Sequence, residues 1–181
     1  MENLSLHDIT SKQRAMFQCL CESWESMSDL RGRKVDLSNG ATAWQPCMVD
    51  SEDIGAGTNI GSLSHIGKEV CIGKNCRIQG SVYIADGCTI GEGVFIGPNA
   101  TLTNDRHPPS NGKWSPVIVE DDVVIGANST IIAGVRLNTG CVIAAGAVVT
   151  TDVPMHQVWA GNPAKFLMQR EEYDSRRATN E

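Results

Sequence analysis

Residues 60–84 read "IGSLSHIGKEVCIGKNCRIQGSVYI", and their rhythm decides the fold. Isoleucine returns at 60, 66, 72, 78 and 84, six positions apart each time. The series extends back to Ile54 and forward through Ile90 and Ile96 to Leu102. It resumes at Val119, Ile125, Ile131, Leu137, Ile143 and Val149. Glycine follows many of these residues, at 55, 61, 67, 73, 91, 97 and 126. Four places after each aliphatic stands something small or β-branched, as at Thr58, Ser64, Val82, Val94, Ser129 and Ala147. A period of six does not fit an α-helix of 3.6 residues per turn. It does return to the same face of a strand, while a turn signal in every hexad keeps each strand short. The expected fold is therefore an all-β solenoid in which each hexad is a strand and a bend, the aliphatic points inward, and glycine permits a tight corner.

Composition narrows the function. The 181 residues are enough to bury a real core. A net charge of −6 without a run of Lys or Arg speaks against a nucleic acid polymer as partner. No stretch has the length and apolarity of a membrane span, and "MENLSLHDIT" lacks a basic-then-apolar leader, so a cytoplasmic protein away from membranes is expected. Of seven cysteines none forms a CxxC pair. Cys76, Cys88 and Cys141 share one phase of the repeat with Ser64, Val70 and Ala100, which makes them small apolar fillers rather than redox or metal groups.

The hexads resemble the left-handed parallel β-helix of the hexapeptide-repeat acyltransferases, and the resemblance covers roughly residues 49–153. It implies three hexads per triangular coil, so that residues eighteen apart, such as Ile54, Ile72 and Ile90, stack in one interior column. The closing "VPMHQVWAGNPAKFL" (residues 153–167) is similar to that family's "VP…AGxPAK" segment near acetyl-CoA. A β-helix domain is expected over 46–167, with a loop at 103–118 and a polar tail over 168–181. Residues 1–45 are expected to be a helical cap or interface segment, because Met16, Phe17, Leu20, Trp24 and Met27 share one helical face within residues 11–30.

One break interrupts the rhythm, at "TLTNDRHPPSNGKWSP" (residues 101–116). An insertion of about eleven residues keeps the phase on both sides, so it must loop out of the solenoid, and Pro108, Pro109 and Pro116 stiffen it. In the acyltransferases such a loop reaches a neighbouring subunit, which implies a homotrimer with three shared sites. The loop and the "IGKNCRIQ" run look most like the N-acetyltransferases of nucleotide-diphosphate-linked amino sugars. Two departures stand out: Gly80 and Ser81 follow Gln79 where that family has an Asn pair, and Pro109 replaces an Arg.

His107 is the expected general base, because an imidazole can take a proton near neutral pH. Asp105 or Asn104 would orient it or hold the sugar. His65, with Tyr83 and Thr101 in its column, leads toward the loop, and Gln79 and Ser81 join the expected substrate-binding set. The resemblance places the pantetheine of acetyl-CoA beside Gly126, Ala127, Ala145 and Gly146, with Lys165 meeting a phosphate. No metal is expected, since His7, His65, His107 and His156 include no close pair of the kind a zinc-dependent prism enzyme uses. The alternatives are a sugar O-acetyltransferase of the maltose or galactoside type, whose loop also carries a histidine, and a non-catalytic scaffold.

Overall fold

A computed structural model describes residues 32–179. The described chain begins with strands β1 (Arg33–Asp36) and β2 (Thr42–Gln45). Fifteen two-residue strands follow, from β3 (Met48–Val49) to β17 (Val148–Val149), then β18 (Gln157–Ala160), β19 (Lys165–Gln169) and one helix, α1 (Arg170–Ala178). The short strands fall on three faces, and the chain visits the faces in turn. Eighteen residues complete a coil: Asn59 pairs with Arg77 on the first face, His65 with Tyr83 on the second and Cys71 with Thr89 on the third, all in parallel. The sheets on these faces hold nine, six and four strands respectively.

The aliphatic series fills the prism. Ile60, Ile66, Ile84, Ile96, Leu102, Ile125, Ile131 and Leu137 are all fully buried, and each such side chain contributes about 1.5–3 kcal/mol on leaving water. Residues four places later also point inward. Where they are polar, they tie one coil to the next. Thr58 donates its hydroxyl to the Gly73 carbonyl at 2.8 Å and accepts the Cys76 N–H at 3.0 Å. Ser129 donates to the carbonyls of Gly126 and Ala144 at 2.8 and 3.0 Å. Cys76, Cys88 and Cys141 are buried at this phase, as expected of fillers.

The corner glycines serve a different purpose from the one expected. After Gly61, Gly67, Gly73, Gly97 and Gly126 the left-handed backbone of the corner falls two residues later, at Leu63, Glu69, Asn75, Asn99 and Asn128. The glycine itself is needed because the next coil lies against it. A Cβ on Gly73 would sit 2.5 Å from the Gly91 carbonyl oxygen and 2.6 Å from its carbon.

Both ends of the first face turn back on themselves. β1 pairs antiparallel with β2, and β2 continues the parallel stack through Thr42 and Asn59. Residues 33–45, expected within the helical segment, are thus a hairpin joined to the solenoid. The helix expected over residues 11–30 lies outside the described residues. At the other end β18 pairs in parallel with Val142–Ile143 and antiparallel with β19. The expected polar tail contains α1, whose first turn holds Glu171 and Glu172 and whose last turn holds Arg176 and Arg177. That order suits the helix dipole. No helix among the described residues is long and apolar enough to cross a membrane.

Candidate active site

The inserted loop leaves the second face after Leu102 and rejoins the third at Ile118, so it rides on the corner between them. Its root is tied at Asn104, which donates its side-chain N–H to the Asp86 carbonyl at 3.1 Å and accepts the Ser115 N–H at 2.7 Å. Asp105 lies within the loop. Its carboxylate accepts the backbone N–H of His107 at 3.1 Å and of Ser110 at 2.9 Å. Those bonds, the Ser110 N–H foremost, hold its pKa below the usual carboxylate value. Asp105 therefore meets the His107 backbone and not its ring, and the Asn104 amide is engaged with Asp86. The His107 side chain is exposed at the loop surface.

Below the loop root, the second face carries an aromatic pair. His65 and Tyr83 are register partners, and their rings stack with centroids 5.0 Å apart and planes at 25°. Thr101 continues the column directly beneath the loop. Gln79 and Ser81 sit on the other border of this face, at the corner shared with the first face, and both are exposed.

The four small residues expected at the cofactor stack higher on that same corner. Gly126 lies under the backbone of Ala144 and Ala145, too close for any side chain. Gly146 donates its N–H to the Ala127 carbonyl at 2.8 Å, and a Cβ there would meet nothing within 4 Å. The corner is thus narrow in its wall and open on its outer side, which fits an extended pantetheine chain bonded to backbone groups. Lys165 is exposed on β19 opposite Ala160 and makes no ion pair among the described residues.

Within one chain the structure gathers Asn104, Asp105 and His107 on one edge of the second face. Gln79, Ser81 and the four small residues of the upper corner lie on the other edge, with His65 and Tyr83 between. Two residues escaped the sequence reading. Arg106 donates to the carbonyls of Ala133 at 3.0 Å and Thr150 at 3.1 Å. Trp114, 53% exposed, lines a groove of about 370 Å³ with Lys68, Glu69, Asp86 and Gly87. The quoted loop contained both, but nothing in a hexad pattern tells which coil a loop side chain will reach. No group of three or more His, Cys, Asp or Glu side chains is arranged to hold a metal ion among the described residues.

Residues 72–104 match the family model described as bacterial transferase hexapeptide (six repeats). Residues 116–151 match the hexapeptide repeat of succinyl-transferase. The chain carries hexapeptide repeats over both of these stretches. The two matches stop on either side of the loop, so the repeat accounts for the coils and leaves residues 105–115 outside it. A 77-residue stretch is 52% identical to 2,3,4,5-tetrahydropyridine-2,6-dicarboxylate N-acetyltransferase of Staphylococcus aureus (strain JH9). It spans 42% of this hexapeptide-repeat chain and 31% of that enzyme. A hexapeptide-repeat containing acetyltransferase from Vibrio cholerae O1 biovar eltor, solved with acetyl coenzyme A, is 29% identical, with a TM-score of 0.51, covering 72% of this chain and 71% of that one. A galactoside acetyltransferase solved with coenzyme A is 27% identical, with a TM-score of 0.53, covering 75% of this chain and 66% of that one.

Proposed function

We propose that this hexapeptide-repeat protein is an acetyl-CoA-dependent N-acetyltransferase that acts on the amine of a nucleotide-diphosphate-linked amino sugar. The observation that carries the reading is the loop: a braced "NDRHP" turn that presents His107 at the border of a solenoid face floored by His65 and Tyr83. Relatives named as acetyltransferases, two of them solved with coenzyme A or its acetyl thioester, support the donor. The Staphylococcus relative's name supports an amine as acceptor. Acetyl-CoA supplies a thioester carbonyl, which Gly126, Ala127, Ala145 and Gly146 would hold by their backbone, with Lys165 near a phosphate. As the nitrogen attacks and the thioester C–S bond breaks, His107 would take the proton that the acceptor nitrogen loses and pass it to the departing coenzyme A thiolate, a contribution of about 10²–10⁴-fold. Asn104, Gln79, Ser81 and the stacked pair would hold the sugar. The two edges of the second face do not meet in one chain, which favours a homotrimer in which the loop of one copy serves the small-residue corner of the next.

A second reading, a sugar O-acetyltransferase, is favoured by the galactoside acetyltransferase relative. Mass-spectrometric detection of acetylated product separates the two. Acetyl-CoA is offered with UDP- and dTDP-linked 3-amino and 4-amino sugars, a galactoside and maltose. Product from a nucleotide amino sugar, abolished or strongly slowed in His107→Ala, is the expected result. Acetylation of the free sugars alone would reverse the choice, and no product with any acceptor would sink both.

A further inference from the structure

We propose that Arg106 is the positioning residue of this site, a cross-brace that fixes the loop to the two coils above it so that His107 is held in one place. The inference rests on the reading of His107 as the base. Arg106 lies between Asp105 and His107, yet its guanidinium points back to the solenoid. It donates to the carbonyl of Ala133 at 3.0 Å and, one coil further along the same corner, to that of Thr150 at 3.1 Å. Asn104 anchors the loop to the coil on the opposite side, at Asp86. One loop root is thereby tied at three levels of the prism.

Chain chemistry makes a side-chain brace necessary. Pro108 and Pro109 follow His107 directly, and proline has no N–H to donate. The nearby backbone donors, those of His107 and Ser110, are used by Asp105 within the loop. Arginine suits the task because its planar fork offers two donors in fixed relation. Among the described residues it makes no ion pair that would compete. The coils it touches do not depend on it, since Thr130 pairs with Val148 and Ile132 donates its N–H to Val149 at 3.0 Å. The brace serves the loop and not the solenoid.

The test uses the full chain with Arg106→Ala, Arg106→Lys and His107→Ala. Three quantities are measured: the melting temperature, the rate of tryptic cleavage after Lys113 in the same loop, and kcat and KM with the acceptors named above. Arg106→Ala should melt within a few degrees of the parent and be cut at Lys113 about tenfold faster. Its kcat should fall about a hundredfold, as expected when a reacting group is misplaced by an ångström, with the KM for acetyl-CoA within twofold. Arg106→Lys should recover part of kcat. Unchanged cleavage at Lys113 overturns the brace whatever the activity. Full kcat in Arg106→Ala beside an inactive His107→Ala overturns it too. Full activity in His107→Ala rejects the base assignment instead, and the cleavage rate then reports on the brace alone.

Discussion

Asp105 and Ser110 are joined across two prolines: the carboxylate of the first accepts the backbone N–H of the second at 2.9 Å, closing the turn that displays His107. The same carboxylate also holds the His107 N–H. Since the folded pKa lies below the ordinary value of 3.8, this contribution is complete above that pH and is lost as pH falls through the lowered pKa. The amide proton shift of Ser110 should therefore titrate with a midpoint under 3.8 and stay flat from pH 5 to 8. Asp105→Asn should remove the titration. A midpoint near neutrality would mean that another group closes the turn.

The His65–Tyr83 stack supplies a flat, half-exposed floor below the loop. An aromatic contact of this kind is worth about 0.5–1.5 kcal/mol, so Tyr83→Ala should raise the KM for the acceptor by about two- to tenfold. kcat and the KM for acetyl-CoA should hardly move. Tyr83→Phe should keep the parent value if the ring, and not the hydroxyl, makes the contact. An unchanged acceptor KM in Tyr83→Ala would remove this face from the site.

Gly73→Ala tests the reason for the corner glycines. The added methyl would press on the backbone of Gly91, which cannot swing aside as a side chain can. A loss of about 1–3 kcal/mol is expected for such overpacking, read as a lower midpoint in urea unfolding. Leu63→Gly, by contrast, relieves a left-handed residue with φ of 62° and should be neutral or slightly stabilising. If Gly73→Ala is neutral, the coils have room to separate.

Burial pushes the Cys88 thiol up to about 11 and the Cys141 thiol up to about 12. Both should resist iodoacetamide at pH 8 in the native protein, because the thiolate is the reactive form. Cys71, exposed on the third face, should be labelled more readily, although its hydrogen bond to Asp53 raises its pKa as well. Labelling of Cys88 or Cys141 at the rate of Cys71 would show that the prism opens.

The coils were legible because they are repetitive: one inward aliphatic per hexad is enough to fix the strands and the core, while the eighteen-residue register came from the resemblance to the hexapeptide-repeat acyltransferases. The same regularity assigned the corner glycines to the wrong cause, since sequence shows which residue is small but not that the coil above lies 2.5 Å away. The loop was visible only as a break in phase. That Asp105 would bond to backbone, and that Arg106 would reach Thr150, depends on how an aperiodic segment folds down onto coils forty-odd residues further along. The hairpin at 33–45 was missed for a related reason, because it precedes the first hexad and carries no period.

The strands on either side of the insertion pair across 29 positions instead of 18, on all three faces: Thr89 with Ile118, Phe95 with Val124 and Thr101 with Thr130. Closing the longer segment adds only about 0.4 kcal/mol of chain entropy per coil closure, because the cost grows with the logarithm of length. A corner of this solenoid can therefore accept a new segment, or a longer one, while the stacking above and below goes on undisturbed. Under the proposed function, acceptor chemistry can diversify there with little thermodynamic resistance from the scaffold.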